Sequence, residues 1–204
     1  MRVIAGRAGG VRLASPKSGV RPTMDRVKAA IFSSLGEMVI GARVLDLFAG
    51  TGALGIEALS RGADSALFIE EDRQSVAAIE KNLTKTQLTG RVRQQDVFRF
   101  LTTAAAVAEK FQIVFADPPY EKTQSGERFT EMLLASKKLN ELLAPRGVFV
   151  LEKRPGEALP ETKLWHVARR KEYGATEVLF LSAATASPAR PNQQGVHPPR
   201  RAIE

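Results

Sequence analysis

The segment from residue 42 to residue 62 joins three patterns that together constrain the fold. ARVLDLF (42–48) is a mostly apolar run typical of a buried strand, and ALGIEALSRG (53–62) has the apolar spacing of a helix. Between and within them, Gly50, Gly52 and Gly55 have the spacing G-x-G-x-x-G. A strand, a glycine turn and a helix in this order typically open a parallel sheet that binds ligands beyond the strand's carboxyl end. The chain is therefore predicted to be an α/β protein with a ligand site near residue 50.

Strands and helices alternate along the following residues. Further strands are predicted over 65–71, 90–96, 111–120 and 147–153, and helices over 73–87 and 127–144. The segments KLWHVARRKEYG (163–174) and TEVLFLSA (176–183) predict two final strands that run antiparallel through a turn at Gly174. Because strands separated by helices pair in parallel through right-handed crossovers, this pattern predicts a Rossmann-like, doubly wound sheet.

Three acidic residues stand where a bound adenosine would need them. Glu70 ends the second strand 20 residues after Gly50, where a carboxylate can bind ribose hydroxyls, although the two acidic residues after it offer the same group. Asp96 ends the third strand and can accept from an adenine amino group. Asp46 precedes the glycines, where it would attract the cationic amino and sulfonium groups of S-adenosylmethionine and repel a pyrophosphate. The glycine spacing alone is equally consistent with a nicotinamide dinucleotide as the ligand, whereas Asp46 favours S-adenosylmethionine.

Asp117, Pro118, Pro119 and Tyr120 follow the fourth strand and form the predicted catalytic motif. The prolines hold the chain extended and lack backbone donors, so nearby carbonyl groups are left to accept. An exocyclic base amine is a poor nucleophile because its lone pair is conjugated with the ring. Hydrogen bonds from its two N–H groups to the Asp117 carboxylate and the Pro118 carbonyl would make the nitrogen more tetrahedral and orient it. Tyr120 offers a ring on which an extruded base can stack.

Basic charge is concentrated near the amino terminus. Of the first 28 residues seven are basic and one is acidic, in a chain whose net charge is +8. RVIAG (2–6) and VRLAS (11–15) alternate apolar and basic residues around a glycine turn, which predicts a β-hairpin in a basic segment over residues 1–23. Such localised charge favours nucleic-acid binding through Arg2, Arg7 and Arg12.

A helix is predicted directly after this segment, at the start of a domain spanning residues 24–185. Thr23 is its expected N-cap. Its apolar face comprises Met24, Val27, Ile31, Leu35 and Met38, and the basic side chains of Arg26 and Lys28 are expected to point away from that face. Residues 186–204 are rich in proline and arginine and are predicted to be a disordered basic tail.

Composition excludes several classes of chemistry. The chain has no cysteine, so it has no disulfide or thiol nucleophile and no route to covalent methylation at pyrimidine C5. Two histidines are too few for a clustered catalytic zinc site, and no metal is expected. No apolar run approaches the ~20 residues of a membrane span, and no signal segment is recognised, which together predict a cytoplasmic protein.

Residues 2–183 resemble the bacterial 16S ribosomal RNA guanine-N2 methyltransferases of the RsmD family, which act at guanine 966. The resemblance lies in RVIAG-RAGG-VRL, RPTMDRVKAAIF, DLFAGTGALGIEALSRGA, FIEEDR, DPPY and the pair Tyr173-Gly174 followed by Thr176. It implies a class I methyltransferase sheet of seven strands with the last antiparallel. It also implies S-adenosylmethionine as the methyl donor and 16S ribosomal RNA in an assembling small ribosomal subunit as the substrate. The protein is expected to be a monomer. The site residues it implies are Asp46, Phe48, Ala49, Gly50, Gly52, Glu70, Asp96 and Val97 for the methyl donor, Asp117 to Tyr120 for guanine N2, and Arg21 and Thr23 for RNA.

Three other functions are consistent with parts of the pattern. A DNA methyltransferase acting on adenine N6 or cytosine N4 would use the same DPPY chemistry, but a separate base-reading domain is missing from the sequence. An NAD-dependent oxidoreductase fits the glycines and is disfavoured by Asp46 and the DPPY motif. A non-catalytic RNA-binding protein of the same fold is disfavoured by the intact acidic residues.

Overall fold

The computed structural model describes residues 1–15, 25–103, 109–119 and 129–184. Its strands are β1 (Arg43–Leu47), β2 (Ser65–Glu70), β3 (Arg91–Gln94), β4 (Phe111–Ala116), β5 (Leu143–Lys153), β6 (Trp165–Tyr173) and β7 (Thr176–Ala183). Its α-helices are α1 (Asp25–Leu35), α2 (Ala53–Ser60), α3 (Arg73–Thr86), α4 (Val97–Thr103), α5 (Phe129–Ala135) and α6 (Lys137–Leu142), with a 3-10 helix at Gly36–Val39. Within these ranges no helix is long and apolar enough to cross a membrane.

The seven strands form one sheet in the order β3-β2-β1-β4-β5-β7-β6. The first five strands pair in parallel, whereas β7 is antiparallel to both β5 and β6. The predicted α/β sheet with an antiparallel last strand is therefore confirmed. The chain order reverses between β1 and β4, and this switch point is where an open α/β sheet forms a ligand crevice.

Helices cover the sheet on both faces. The first face packs against α1, α2 and α3 through buried residues such as Ile31, Leu59 and Ile79. The second face packs against α4, α5 and α6 through Phe100, Leu133 and Leu139. Because both faces are covered, the central strands are apolar almost throughout. A buried carboxylate in β1 therefore needs a specific explanation.

Residues 1–15 differ from the predicted hairpin. They form a single antiparallel bridge between Arg2 and Arg12, supported by a 2.9 Å hydrogen bond from Val3 N to Val11 O. Two regular strands do not form because several of the intervening main-chain groups bind α2 instead, as described below. Val3, Ala8 and Leu13 are buried in the same core as α1 and α2, so this segment is packed against the domain.

The interval 127–144, predicted to be one helix, contains a helix boundary and the start of a strand. Ser136 ends α5 and caps α6, because its hydroxyl accepts a 3.1 Å hydrogen bond from Leu139 N. Strand β5 then begins at Leu143. Helix α4 was not predicted. It begins after Asp96, whose carboxylate accepts a 2.7 Å hydrogen bond from Arg99 N, as an N-cap does.

The expectation that Lys28 points away from the core is wrong. Its side chain is fully buried and its Nζ lies 3.2 Å from Glu57 Oε2 on α2. Arg26 is exposed as predicted, and Val27, Ile31 and Leu35 are buried. Met38 is 41% exposed because the chain has left the α-helix for the 3-10 helix at that point.

Candidate active site

The loop after β1 has an unusual backbone that explains its glycines. Gly50 and Gly52 have φ of +55° and +75°, in the left-handed region where a side chain is strained. Phe48 also has a positive φ of +55°, which is uncommon for a residue with a Cβ and is often found at ligand sites. Ala49 N donates to Ile69 O at 3.1 Å, so the loop is attached to the neighbouring strand β2.

Gly55 is required for packing inside α2. A Cβ atom at this position would lie 2.3 Å from the Phe68 ring and 3.1 Å from Asp46 Oδ2. Gly55 N donates to that same Asp46 oxygen at 2.9 Å. The third glycine of the motif therefore brings the helix against β2 and lets its amide reach the buried carboxylate of β1.

Glu70 is the acidic residue that faces the glycine loop. Its Oε2 accepts from Gly50 N at 2.7 Å and its Oε1 from Asp72 N at 2.9 Å. Asp72 instead caps α3 by accepting from Ser75 N at 2.8 Å, and Glu71 is exposed. Each oxygen of Glu70 has a further lone pair, so the carboxylate can also accept from hydroxyl groups of a ligand.

Asp46 is buried at the carboxyl end of β1, with 2% of its surface exposed. The pKa of its carboxyl is raised to about 8, mainly by burial and additionally by the negative charges of Asp117 and Glu70, while the hydrogen bond from Gly55 N acts in the opposite direction. An isolated buried carboxylate is costly, and a cationic partner favours its ionised form. The residues therefore fit a ligand with a positive charge near Asp46 and hydroxyl groups near Glu70, which is the chemistry of S-adenosylmethionine.

The predicted catalytic motif lies at the same edge of the sheet as Asp46. β4 pairs in parallel with β1, with Ala116 opposite Leu47, so Asp117 follows at the same edge of the sheet. Asp117 is half-buried, Pro118 is buried and Pro119 is exposed. The negative charge of Asp117 is one of the causes that raise the pKa of Asp46, in agreement with this placement. Tyr120 lies outside the described residues.

Three phenylalanine rings gather at the same edge. The Phe48 ring lies 6.1 Å from that of Phe98 and 5.4 Å from that of Phe129, and the last two rings are stacked 5.9 Å apart. Phe48 was predicted to contact the methyl donor, and sequence reasoning missed the other two rings. Asp96, predicted to accept from adenine, is exposed at the start of α4, and Val97 next to it is buried. This places an acceptor and flat apolar surface together, a combination that suits a purine ring.

The amino-terminal segment is held by α2 through its main chain. Glu57 accepts from Ile4 N at 2.7 Å and from Ala5 N at 3.0 Å. Ser60 donates to Ala5 O at 2.6 Å and accepts from Ala8 N at 3.0 Å through its hydroxyl group. A Cβ at Gly6 would lie 1.9 Å from the Ser60 carbonyl oxygen, so only glycine allows this approach.

Glu57 is the centre of a buried ionic cluster that the sequence analysis missed. Besides the two amides, its carboxylate contacts Lys28 Nζ at 3.2 Å and Arg61 Nε at 2.7 Å. Lys28 also donates to Arg2 O. Burial lowers the pKa of Lys28, and the negative charge of Glu57 acts in the opposite direction. The only available sequence signal was the lone acidic residue within the apolar helix ALGIEALS.

The arginines predicted to contact RNA point outward from this anchored segment. Arg2, Arg7 and Arg12 are all exposed, and Arg2 forms a 3.3 Å surface ion pair with Asp25. The segment therefore presents basic side chains while its main chain is bound to the domain. Arg21 and Thr23, like Met24 and the predicted tail, lie outside the described residues.

Comparison with known proteins gives the family. The chain is 40% identical over 182 residues to YlbH of Bacillus subtilis (strain 168), covering 87% of this chain and 96% of that protein. It is 37% identical over 177 residues to Ribosomal RNA small subunit methyltransferase D of Escherichia coli (strain K12), covering 85% of each. The Thermus thermophilus 16S rRNA N2 G1207 methyltransferase RsmC, solved with AdoMet and guanosine, has the same fold with a TM-score of 0.61 at 24% identity. That match covers 82% of this chain and 44% of RsmC.

A family model matches residues 1–182. Together with the two relatives, it confirms the resemblance to the RsmD methyltransferases. The chain belongs to the family described as Conserved hypothetical protein 95.

Proposed function

We propose that this protein transfers a methyl group from S-adenosylmethionine to the exocyclic N2 of a guanine in small-subunit ribosomal RNA, at a position of the guanine 966 type. The observation that carries the proposal is the parallel pairing of β1 with β4 at the switch point of the sheet, which brings Asp46 and Asp117 to the same edge. One residue belongs to a pocket that fits a cationic nucleoside, and the other begins a motif suited to a base amine. The RsmD relatives support ribosomal RNA as the substrate class.

The residues of the first pocket bind and orient the methyl donor. Asp46 compensates its positive charge, Glu70 accepts from its ribose hydroxyls, and Asp96 accepts from its adenine amino group. Phe48, Ala49, Gly50, Gly52 and Val97 shape the surface around it. When bound, S-adenosylmethionine supplies a methyl group activated by a positively charged sulfur. Holding this donor at a fixed place removes much of the entropy cost of a reaction between two molecules.

The residues of the second pocket prepare the acceptor amine. Asp117 accepts one N–H of the guanine amine through its carboxylate, and the carbonyl of Pro118 accepts the other. These two bonds fix the direction of the nitrogen lone pair. The nitrogen would take the methyl group as the bond from the methyl carbon to sulfur breaks and S-adenosylhomocysteine is released. The proton of the N–H group that is hydrogen-bonded to Asp117 would pass to the Asp117 carboxylate and then to water. The base stacks on Tyr120 in this proposal, which accounts for an aromatic residue directly after the two prolines.

The exposed arginines bind the RNA backbone around the extruded base. Arg2, Arg7 and Arg12 lie on the anchored amino-terminal segment, and Arg21 and Thr23 belong to the stretch that leads from it to α1. Phosphate contacts of this kind position an RNA without reading its sequence. We therefore expect the surrounding structure of an assembling small subunit to select the guanine, with the protein acting as a monomer in the cytoplasm.

The test is a comparison of ribosomal RNA nucleosides from cells with and without this protein. Mass spectrometry of small-subunit RNA fragments should show N2-methylguanosine at one site, lost on deletion and restored by the wild-type gene. An unchanged nucleoside profile would overturn the proposal. If deletion instead removed an N6-methyladenosine or an N4-methylcytidine, the DPPY motif would still be assigned to methylation of a base amine, but the assignment of guanine as the substrate base would be wrong.

A further inference from the structure

Asn82 connects two segments that are distant in sequence. It lies in α3 with its side chain fully buried. Its Oδ1 accepts from Ala14 N at 2.7 Å, and its Nδ2 donates to Ala14 O at 3.0 Å and to Thr51 O at 3.0 Å. One side-chain amide thus joins the end of the amino-terminal segment to the middle residue of the glycine loop.

The chemistry of this contact is specific to an amide of this length. Asparagine presents an acceptor and a two-proton donor in one plane, so it can bond to both main-chain groups of Ala14 and still reach Thr51. Aspartate has no donor, and alanine has neither group. Asparagine is a weak helix former, since its side chain competes for local backbone bonds. Here that side chain is used for contacts between segments.

The two segments joined by Asn82 have different proposed partners. Thr51 lies between Gly50 and Gly52, where the methyl donor binds in the proposed function. Ala14 belongs to the basic segment that carries Arg2, Arg7 and Arg12, one residue before its described part ends. A shift of either segment would leave buried polar groups without hydrogen bonds, which is unfavourable. The position of one segment therefore restricts the position of the other.

We propose that Asn82 is a positioning residue that couples RNA binding by the amino-terminal segment to methyl-donor binding by the glycine loop. This inference rests on the proposed function, because it takes RNA and S-adenosylmethionine as the two ligands. Coupling between two binding sites is reciprocal, so each ligand raises the affinity for the other by the same factor. RNA bound to the arginines holds Ala14 in place, and Asn82 holds Thr51 in the conformation that receives the donor.

The coupling is measured as a ratio of dissociation constants. The affinity for S-adenosylhomocysteine, which permits no turnover, is determined with and without small ribosomal subunits purified from cells lacking this protein. We compare the wild type with Asn82→Ala and Asn82→Asp. The matched control is Lys85→Met, because Lys85 Nζ donates to Arg12 O at 2.7 Å from the same helix. Lys85 therefore attaches the same segment without touching the glycine loop.

We expect the wild type and Lys85→Met to bind S-adenosylhomocysteine at least about fivefold more tightly with subunits present, the lower end of typical coupling. In both Asn82 variants that ratio should fall to about one. A purely structural role for Asn82 would lower the melting temperature and leave the ratio unchanged, which would overturn the inference. A wild-type ratio of one would overturn it as well.

Hydrogen exchange on the wild-type protein gives a second test that needs no variant. Adding S-adenosylhomocysteine alone should slow exchange in a peptide covering residues 11–15, because Asn82 transmits the ordering of Thr51 to Ala14. Unchanged exchange there, with slower exchange in the glycine loop, would contradict the coupling. Failure of the protein to bind S-adenosylhomocysteine would reject the proposed function itself, so the two failures are distinguishable.

Discussion

Lys28 and Glu57 form an ion pair in which neither side chain has any exposed surface, with Nζ 3.2 Å from Oε2. The pair joins α1 to α2, and Glu57 also accepts from two amides of the amino-terminal segment. A single buried carboxylate on α2 thus binds both α1 and the amino-terminal segment.

Replacing Lys28 with methionine should strongly destabilise the protein. The change leaves the Glu57 carboxylate buried without its lysine, and breaking a buried pair in this way costs about 3–5 kcal/mol. Urea unfolding followed by circular dichroism measures the loss. The control is Lys138→Met. In the wild type Lys138 forms a 3.0 Å ion pair with Glu141 in which both side chains are exposed, and such a pair should contribute at most about 1 kcal/mol to the free energy of unfolding. Equal effects of the two substitutions would show that the buried pair has no special role.

Replacing Asp46 with asparagine should stabilise the ligand-free protein above pH 4. The pKa of this acid is about 8 in the folded chain against a reference value of 3.8, so the folded state holds a proton that the unfolded state has released. The stability that this bound proton gives the folded state is fully present below pH 4 and is lost as the pH rises toward 8. Melting temperatures from pH 5 to pH 8 should show an advantage of the variant that grows with pH. Parallel curves would contradict the raised pKa.

The affinity for S-adenosylmethionine should depend on pH through the proton of the Asp46 carboxyl. A cationic donor favours ionised Asp46, so binding releases its proton and becomes tighter as the pH rises from 6 to 7.5. The limit for one proton is about tenfold per pH unit. Isothermal titration in buffers of different ionisation enthalpy measures the proton released. Asp46→Asn should bind the donor weakly at every pH, and a wild-type affinity that is flat with pH would contradict this role for Asp46.

Replacing Arg2, Arg7 and Arg12 with glutamine should weaken RNA binding and reduce its dependence on salt. Each lost phosphate contact lowers the slope of log affinity against log salt by about 0.7–0.9. Binding to purified small subunits at several potassium concentrations gives the slope. The control is a double glutamine substitution of Lys137 and Lys138 on α6, which packs on the opposite face of the sheet. An unaltered slope in the triple variant would show that these three arginines of the amino-terminal segment do not contact RNA phosphates.

Local patterns were sufficient to predict the sheet and the strand ends at which Asp46, Glu70 and Asp117 lie. The apolar run before Gly50 predicted β1, and the run before Asp117 predicted β4, because a central parallel strand is apolar on both faces. The acidic residues were predicted from their places at strand ends, since all parallel strands end at one edge. Glu70 was predicted as the ribose ligand, but only the structure shows that Glu70, and not Glu71 or Asp72, is bonded to the glycine loop, because three adjacent carboxylates differ only in the direction in which they point.

Contacts between distant residues were beyond the reach of sequence patterns. Helical periodicity predicted that Lys28 points away from the apolar face of α1, and it gave no sign of the carboxylate on α2 that binds the buried Lys28 side chain. The role of Asn82 depends on the meeting of residues 14, 51 and 82, which no local pattern records. Helix α4 was missed because it is short, although the Asp96 cap before an apolar pair was a usable signal.

The central claim is that the Asp46 pocket and the Asp117 motif form one methyl-transfer site, and Asp117→Ala tests it most directly. Purified wild-type and variant proteins are incubated with methyl-labelled S-adenosylmethionine and small subunits from cells lacking the protein. Donor affinity is measured in parallel. We predict that the wild type places label in one N2-methylguanosine, whereas the variant loses transfer by at least about 100-fold and binds the donor with nearly unchanged affinity. Transfer that persists in the variant, or an equal loss of transfer and donor binding, would contradict the claim.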